Sequence, residues 1–179
     1  MTIALDCEPA QTFTHERFLA GAATTSDLAD VVGDDVRSCD TQLRNYGGEL
    51  RFSGPIRTVR SHEDNSLLRQ ALRGPGNGHV LVVDTTGSLR VAMLGDYYAE
   101  LAQRNGWAGV VVNGCIRDVT AIAKLQLGVK ALGSNPRKSR KENVGSLDVP
   151  VTFGGVTFRP GEFLYSDADG LVVVESPVV

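Results

Sequence analysis

The stretch Leu94–Asp118, LGDYYAELAQRNGWAGVVVNGCIRD, contains one α/β unit. Gly95-Asp96 opens a helix, YYAELAQR, that Asn105-Gly106 stops. AGVVVN then reads as a strand buried on both faces, because its apolar run is continuous rather than alternating. One helix and one turn therefore bring Asp96, Arg117 and Asp118 to the same end of a sheet. A helix start favours anions. Together with a guanidinium and two carboxylates, it suggests a metal-assisted site for a small acidic substrate.

Working outward, the same grammar repeats. HVLVVD (79–84) reads as a fully buried strand, TTGS as a turn, and LRVAML (89–94) as another strand. On the far side, residues 116–125 read as a short helix and VKALG (129–133) as a third buried strand. Asn65–Leu72 is a helix with Leu67, Leu68 and Leu72 inward, ended by GPGNG. Residues 47–61, GGELRFSGPIRTVRS, read as strand, turn, strand, because glycines and a proline flank two short alternating runs. In TTSDLADVVG, Thr25 or Ser26 caps a helix whose apolar face is Leu28, Val31 and Val32, with Gly33 as its stop. After the basic loop SNPRKSRKENVG (134–145) the tail turns to β, as VPVTFGGVTF, EFLYSD and LVVVE separated by turns. Residues 1–22 read as a loosely packed lead-in with a short helix at its end. The expectation is one α/β domain over 1–179, with a mixed sheet or small barrel as core and helices outside.

The chain's 179 residues suffice for a full core without staples. With 42% hydrophobic and 22% charged residues it reads as globular, and a net charge of −3 argues against direct nucleic-acid binding. Cys7, Cys39 and Cys115 are scattered without a CxxC pair, which fits a reducing compartment. There is neither a basic-then-apolar start nor a run long enough for a membrane span, so the expected location is cytoplasmic. His15, His62 and His79 share no ligand spacing, Trp107 reads as packing or the rim of a subunit contact, and Asp167 and Asp169 as turn residues. Arg137, Lys138, Arg140 and Lys141 read as a solvated basic loop, with contact to an acidic or RNA-bearing partner as the alternative.

Eight phrases, taken in order, carry a resemblance: ATTSDLADVVG, RNYGGELRFSGPIRTV, HEDNSLL, GHVLVVDTTGSLRVAMLGD, NGWAGVVVNGCIRD, LGVKALGSNPRKS, DVPVTFGGVTFRPGE and YSDADGLVVV. They resemble the family that contains regulator of ribonuclease activity A and the class II 4-hydroxy-4-methyl-2-oxoglutarate aldolases, from about Ala23 to Val174. The resemblance implies a swivelling-domain-like α/β/β sandwich with a mixed central sheet, assembled as a ring-shaped homotrimer with sites between subunits. Relatives have been labelled demethylmenaquinone methyltransferases, but no glycine-rich loop with an acidic partner here suggests S-adenosylmethionine binding.

The family's aldolase motif is an Asp, twenty residues, then Arg-Asp, and Asp96 and Arg117-Asp118 match it without adjustment. The resemblance implies Asp118 as the direct ligand of Mg²⁺ or Mn²⁺, with Asp96 reaching the metal through water and serving in proton transfer. It implies Arg117 as the holder of an anionic substrate oxygen, and Gly95, Asp96, Tyr97 and Tyr98 as the substrate-binding helix start. The chemistry is consistent: a cation chelated by a pyruvate unit offsets the charge of an enolate, and Mg²⁺ needs only one or two protein carboxylates. The implied reactions are cleavage of 4-hydroxy-4-methyl-2-oxoglutarate to pyruvate and decarboxylation of oxaloacetate. The alternative is a non-catalytic protein that binds and inhibits a ribonuclease E-like partner. By themselves, Asp96 also reads as a helix cap and Arg117-Asp118 as a surface turn. Two departures stand out. Family aldolases usually carry an acid two to four residues after Arg-Asp; here that window holds Ala121, Ile122 and Ala123, with Thr120 before it, which implies weaker metal binding or slower turnover. Thr85-Thr86 stand where glycines are common, crowding a turn expected to line the cleft.

Overall fold

The computed structural model describes residues 12–179; Cys7 lies outside the described residues. The parallel centre of the sheet is β3 (Phe52–Arg60), β4 (Val80–Asp84), β6 (Gly109–Ile116) and β7 (Gly128–Ser134), side by side in that order. Between them run α3 (Ser66–Arg73) and α4 (Asp96–Arg104), while β5 (Ala92–Leu94) adds to β6. Antiparallel strands flank this centre: β11 (Phe163–Ser166), β12 (Leu171–Val174) and β1 (Arg37–Ser38) beyond β3, and β2 (Arg44–Asn45) beyond β7. The short β8 (Ser146–Leu147) pairs with the end of β3. β9 (Val151–Phe153) and β10 (Val156–Phe158) form a separate hairpin.

Strand alternation explains the layers. Leu81, Val83, Val110 and Val112 face Leu68, Leu72 and Ala99 of the helices, whereas Val80, Val82 and Val111 face Val151, Phe153 and Phe158 of the hairpin. Both faces of the parallel strands are thus covered, which is why their sequences are continuously apolar. The result is a three-layer α/β/β arrangement around a mixed sheet, as expected. Trp107 is buried, and its indole N–H donates to the Gly74 carbonyl.

Several local expectations change. Residues 47–61 do not turn; β3 runs unbroken through Gly54-Pro55. Ile56 N–H points to β11, donating to Glu162 O, so the missing Pro55 N–H falls on the opposite edge, just before the β4 ladder begins at Ile56. Gly54 serves close approach, since a Cβ there would lie 2.1 Å from the Gly78 carbonyl oxygen. Residues 13–22, expected to be loosely packed, include α1 (His15–Leu19), and Phe13 and Phe18 pack edge-on against Tyr165 on the outer face of β11. α2 (Thr25–Val32) is capped by Thr24, not Thr25 or Ser26: Thr24 Oγ1 accepts from Asp27 N–H and Asp27 accepts from Thr24 N–H. Thr25 is instead buried, and its N–H and hydroxyl are satisfied by donating to Asp167, at 2.7 and 2.6 Å. Only Leu28 of the helix's apolar face is buried; Val31 and Val32 are exposed. Ile116 ends a strand, and α5 is only Val119–Ile122. Residues 89–91 stay outside β5, with Leu89 exposed. No helix among the described residues is long and apolar enough to cross a membrane.

Candidate functional site

Parallel strands present their carboxyl ends on one edge of the sheet, where α/β proteins place ligands. Here the loops after β3, β6 and β7 meet the start of α4. Arg117 N–H donates to Leu94 O at 2.9 Å, tying the end of β6 to the residue before α4. Asp118 follows in the left-handed region, φ 60° and ψ 36°, which Asp tolerates better than most residues. That turn sends its carboxylate back to α4: Oδ2 accepts from Asp96 N–H at 3.3 Å and lies 3.2 Å from Arg117 Nε. Oδ1 of Asp118 has no protein partner among the described residues. Asp96 Oδ1 accepts from Tyr97 N–H at 2.7 Å. Gly95 is needed for this approach, because a Cβ there would lie 2.8 Å from Asp118 Oδ2. Its backbone is extended, φ −129° and ψ 177°, so the requirement concerns space and not conformation.

A cleft of about 210 Å³ opens beside these groups, with Gly95, Asp96, Tyr97, Tyr98 and Arg117 all in its lining. Asp118 lines an adjoining recess with Arg117, Ser134 and Asn135. The two-residue motif and the helix start, 20 residues apart in sequence, are therefore one place in the fold. Thr85 and Thr86 do not line this cleft: Thr85 is buried, its methyl filling the space that Gly114 leaves, and Thr86 hydroxyl pairs with His62 Nδ1 at 2.8 Å.

The RraA-like family model, described as Aldolase/RraA, matches residues 23–173. The chain belongs to the RraA-like family. A structure named S-adenosylmethionine:2-dimethylmenaquinone methyltransferase, from Geobacillus kaustophilus, is 48% identical, with a TM-score of 0.82 over 86% of this chain and 96% of that one. The RNA-processing inhibitor RraA from Thermus thermophilis is 43% identical, with a TM-score of 0.84 over 88% and 95%. RraAS2 of Streptomyces coelicolor, an RNase ES inhibitor family member, is 26% identical, with a TM-score of 0.71 over 92% and 87%. The family includes both aldolases and ribonuclease inhibitors.

The residues of this RraA-like chain fit a hard divalent cation. Asp118 has one carboxylate oxygen fixed by Arg117 and Asp96 N–H and the other free, and Asp96 is its near neighbour. No group of three or more His, Cys, Asp or Glu side chains suited to a metal occurs among the described residues. Two carboxylates and several waters satisfy Mg²⁺ but would hold Zn²⁺ poorly.

Sequence reasoning missed the cleft's other wall. Asn65 and Arg69 from the α3 end line it with Lys138, Ser139 and Lys141 from the basic loop. That loop is fastened rather than free: Ala92 N–H donates to Arg137 O at 2.8 Å, and Arg140 N–H to Glu63 O at 2.8 Å. Asp64 completes the fastening by accepting from Ser66 N–H at 2.8 Å and from Glu142 N–H. Burial pushes the Asp64 carboxyl up, but hydrogen bonds from Ser66, Glu142 and Val144 outweigh it and leave it below the usual carboxylate range. The run of basic residues was visible in the sequence; its attachment to Glu63, Asp64 and Ala92 was not.

Proposed function

We propose that this RraA-like protein is a divalent-metal-dependent class II aldolase, which cleaves 4-hydroxy-4-methyl-2-oxoglutarate to two pyruvates and decarboxylates oxaloacetate as a side reaction. The observation that carries the reading is the meeting of Asp96, Arg117 and Asp118 at the start of α4, beside a small cleft. A bound Mg²⁺ or Mn²⁺ supplies positive charge against the 2-oxo oxygen as electrons move onto it. Asp118 would hold that ion through its free oxygen, with Asp96 reaching it through water.

Arg117 spends only Nε on Asp118, so its two Nη groups remain to bind the carboxylate of the pyruvoyl unit in fork geometry. The α4 start, Gly95 to Tyr98, adds the positive end of the helix dipole, while its Asp96 and Tyr97 N–H groups hold the carboxylates of Asp118 and Asp96 in place. Asp96 orients a water that takes the proton from the C4 hydroxyl. The C3–C4 bond then breaks, its electron pair moves onto the pyruvoyl unit, and a proton from water completes the methyl group. The reading includes a homotrimer, tested by light scattering.

The test is pyruvate release from both substrates with Mg²⁺, with Mn²⁺ and with EDTA. Metal-dependent turnover is expected, falling by about 100-fold or more in Asp118→Ala and Arg117→Ala. Absence of metal-dependent turnover, or full activity in both variants, overturns it. A second reading is binding to a ribonuclease E-like partner, favoured by the names of the Thermus and Streptomyces relatives and by the missing acid after Asp118. A pull-down with such a ribonuclease separates the two, and no complex at micromolar concentration removes it.

A further inference from the structure

The cleft has a charged wall that the proposed chemistry leaves unused. Arg69, Lys138 and Lys141 line it, together with Arg117, and Asp96 is the only carboxylate among the lining residues. Yet the whole chain carries a net charge of −3, so the positive field is local to this cleft. Arg69, Lys138 and Lys141 make no ion pair with any described carboxylate.

These cations are also positioned. Arg69 Nε donates to the Tyr98 hydroxyl at 2.6 Å, and its guanidinium carbon lies 5.1 Å from that ring's centroid. The guanidinium is thereby held on the ring, while its Nη groups have no acceptor among the described residues. Lys138 sits at a parallel bridge to Ala92, and Asn65 N–H donates to Arg140 O at 3.2 Å, so the loop that bears both lysines is pinned to the cleft rim. One held guanidinium and two lysines on a pinned loop, without a carboxylate partner among the described residues, line a cleft with a single carboxylate and so suit an anion.

We propose that Arg69, Lys138 and Lys141 form a second carboxylate subsite, which takes the far carboxylate of a five-carbon 2-oxo diacid and favours carbon–carbon cleavage over β-decarboxylation. The assignment rests on the aldolase reading for the reaction at Arg117 and Asp118. In aldol cleavage the far carboxylate keeps its charge and departs intact on the second pyruvate. Its attraction to the cations is therefore the same before and during bond breaking. In oxaloacetate, a carboxylate seated there must lose its charge as CO₂ forms, its electron pair passing to the adjacent carbon. The same cations then stabilise the ground state more than the transition state and oppose that reaction.

Two measurements test this on the full-length protein. The first is calorimetric binding of glutarate, an unreactive five-carbon dianion, against valerate, its monoanionic counterpart. Wild type is expected to prefer glutarate by about tenfold or more, and the double variant Lys138→Gln/Lys141→Gln to lose most of that preference. Both lysines are exposed, so the fold tolerates the change. The second is the ratio of kcat/KM for 4-hydroxy-4-methyl-2-oxoglutarate cleavage to that for oxaloacetate decarboxylation, expected to fall about tenfold in the same variant. Equal binding of glutarate and valerate by wild type, or an unchanged ratio in the variant, overturns the subsite. If neither substrate turns over, the aldolase reading fails, and the glutarate preference alone then decides whether an anion subsite exists.

Discussion

Gly95→Ala separates the need for space at the site from the need for stability. The new Cβ would lie 2.8 Å from Asp118 Oδ2 and 3.2 Å from Arg117 Nε, whereas ordinary contact begins at 3.4 Å. The carboxylate must therefore retreat by about 0.6 Å, and it can, because both atoms belong to side chains and not to backbone. Misplacement by 1 Å costs about 100-fold in rate, so a loss of about ten- to twentyfold in kcat/KM for pyruvate release is expected, with weaker Mn²⁺ binding. The Gly95 backbone is extended, φ −129°, so alanine introduces no strain, and Tm should move by less than about 4 °C. The matching control is Gly128→Ala, whose Cβ would lie 2.1 Å from Phe52 Cδ1, inside the core and away from the cleft. Overpacking there costs about 1–3 kcal/mol, so Tm should fall by several degrees. The assays are steady-state kinetics and thermal unfolding of both variants. Undiminished activity in Gly95→Ala, or a Tm loss as large as that of Gly128→Ala, would refute the close-approach argument.

Three further outcomes are expected. Thr24→Ala removes the capping box of α2 and should cost about 1 kcal/mol, or about 2–4 °C in Tm, with Thr24→Ser restoring most of it. Asp64→Asn replaces an acceptor by an amide N–H facing another donor; a loss of about 1–3 kcal/mol is expected, with faster hydrogen exchange in 138–145, and unchanged exchange there would contradict the fastening role. The third concerns pH. Hydrogen bonds from Arg57 at 3.1 and 2.7 Å hold the Asp148 carboxyl below its ordinary value. A depressed folded value means the contribution is complete above the unfolded carboxylate value, about 3.9, and is lost as pH falls through the lower folded one. Asp148→Asn, which suits the positive φ of 52° at that position, should flatten the acid limb of the Tm–pH curve, modestly because the pair is well exposed. An unaltered acid limb would remove this pair as a contributor.

Much of the fold was legible because its signals are local. Continuous runs at 80–84 and 109–112 identify strands covered on both faces, and the Leu68 and Leu72 spacing identifies the buried side of α3. Gly54-Pro55 misled because a glycine and a proline announce a turn wherever neighbours are unknown. Here the glycine lets Gly78 approach, and the proline falls where β3 has no ladder bond to make. Val31 and Val32 were legible as apolar but not as exposed, since no packing partner for them is written into their own segment.

Residue order alone places the chain in the mixed α/β RraA-like family and sets Asp96, Arg117 and Asp118 at one end of an α/β unit. Periodicity and caps act over a few residues, so they survive in the order of amino acids. That Asp118 accepts from the start of α4, and that Arg69, Lys138 and Lys141 share the cleft with Arg117, depends on how distant segments pack. Those positions follow from backbone bonds between distant segments, such as Ala92 N–H to Arg137 O. A backbone amide carries no side-chain signature of its partner, so such a bond leaves no trace in the local pattern of residues.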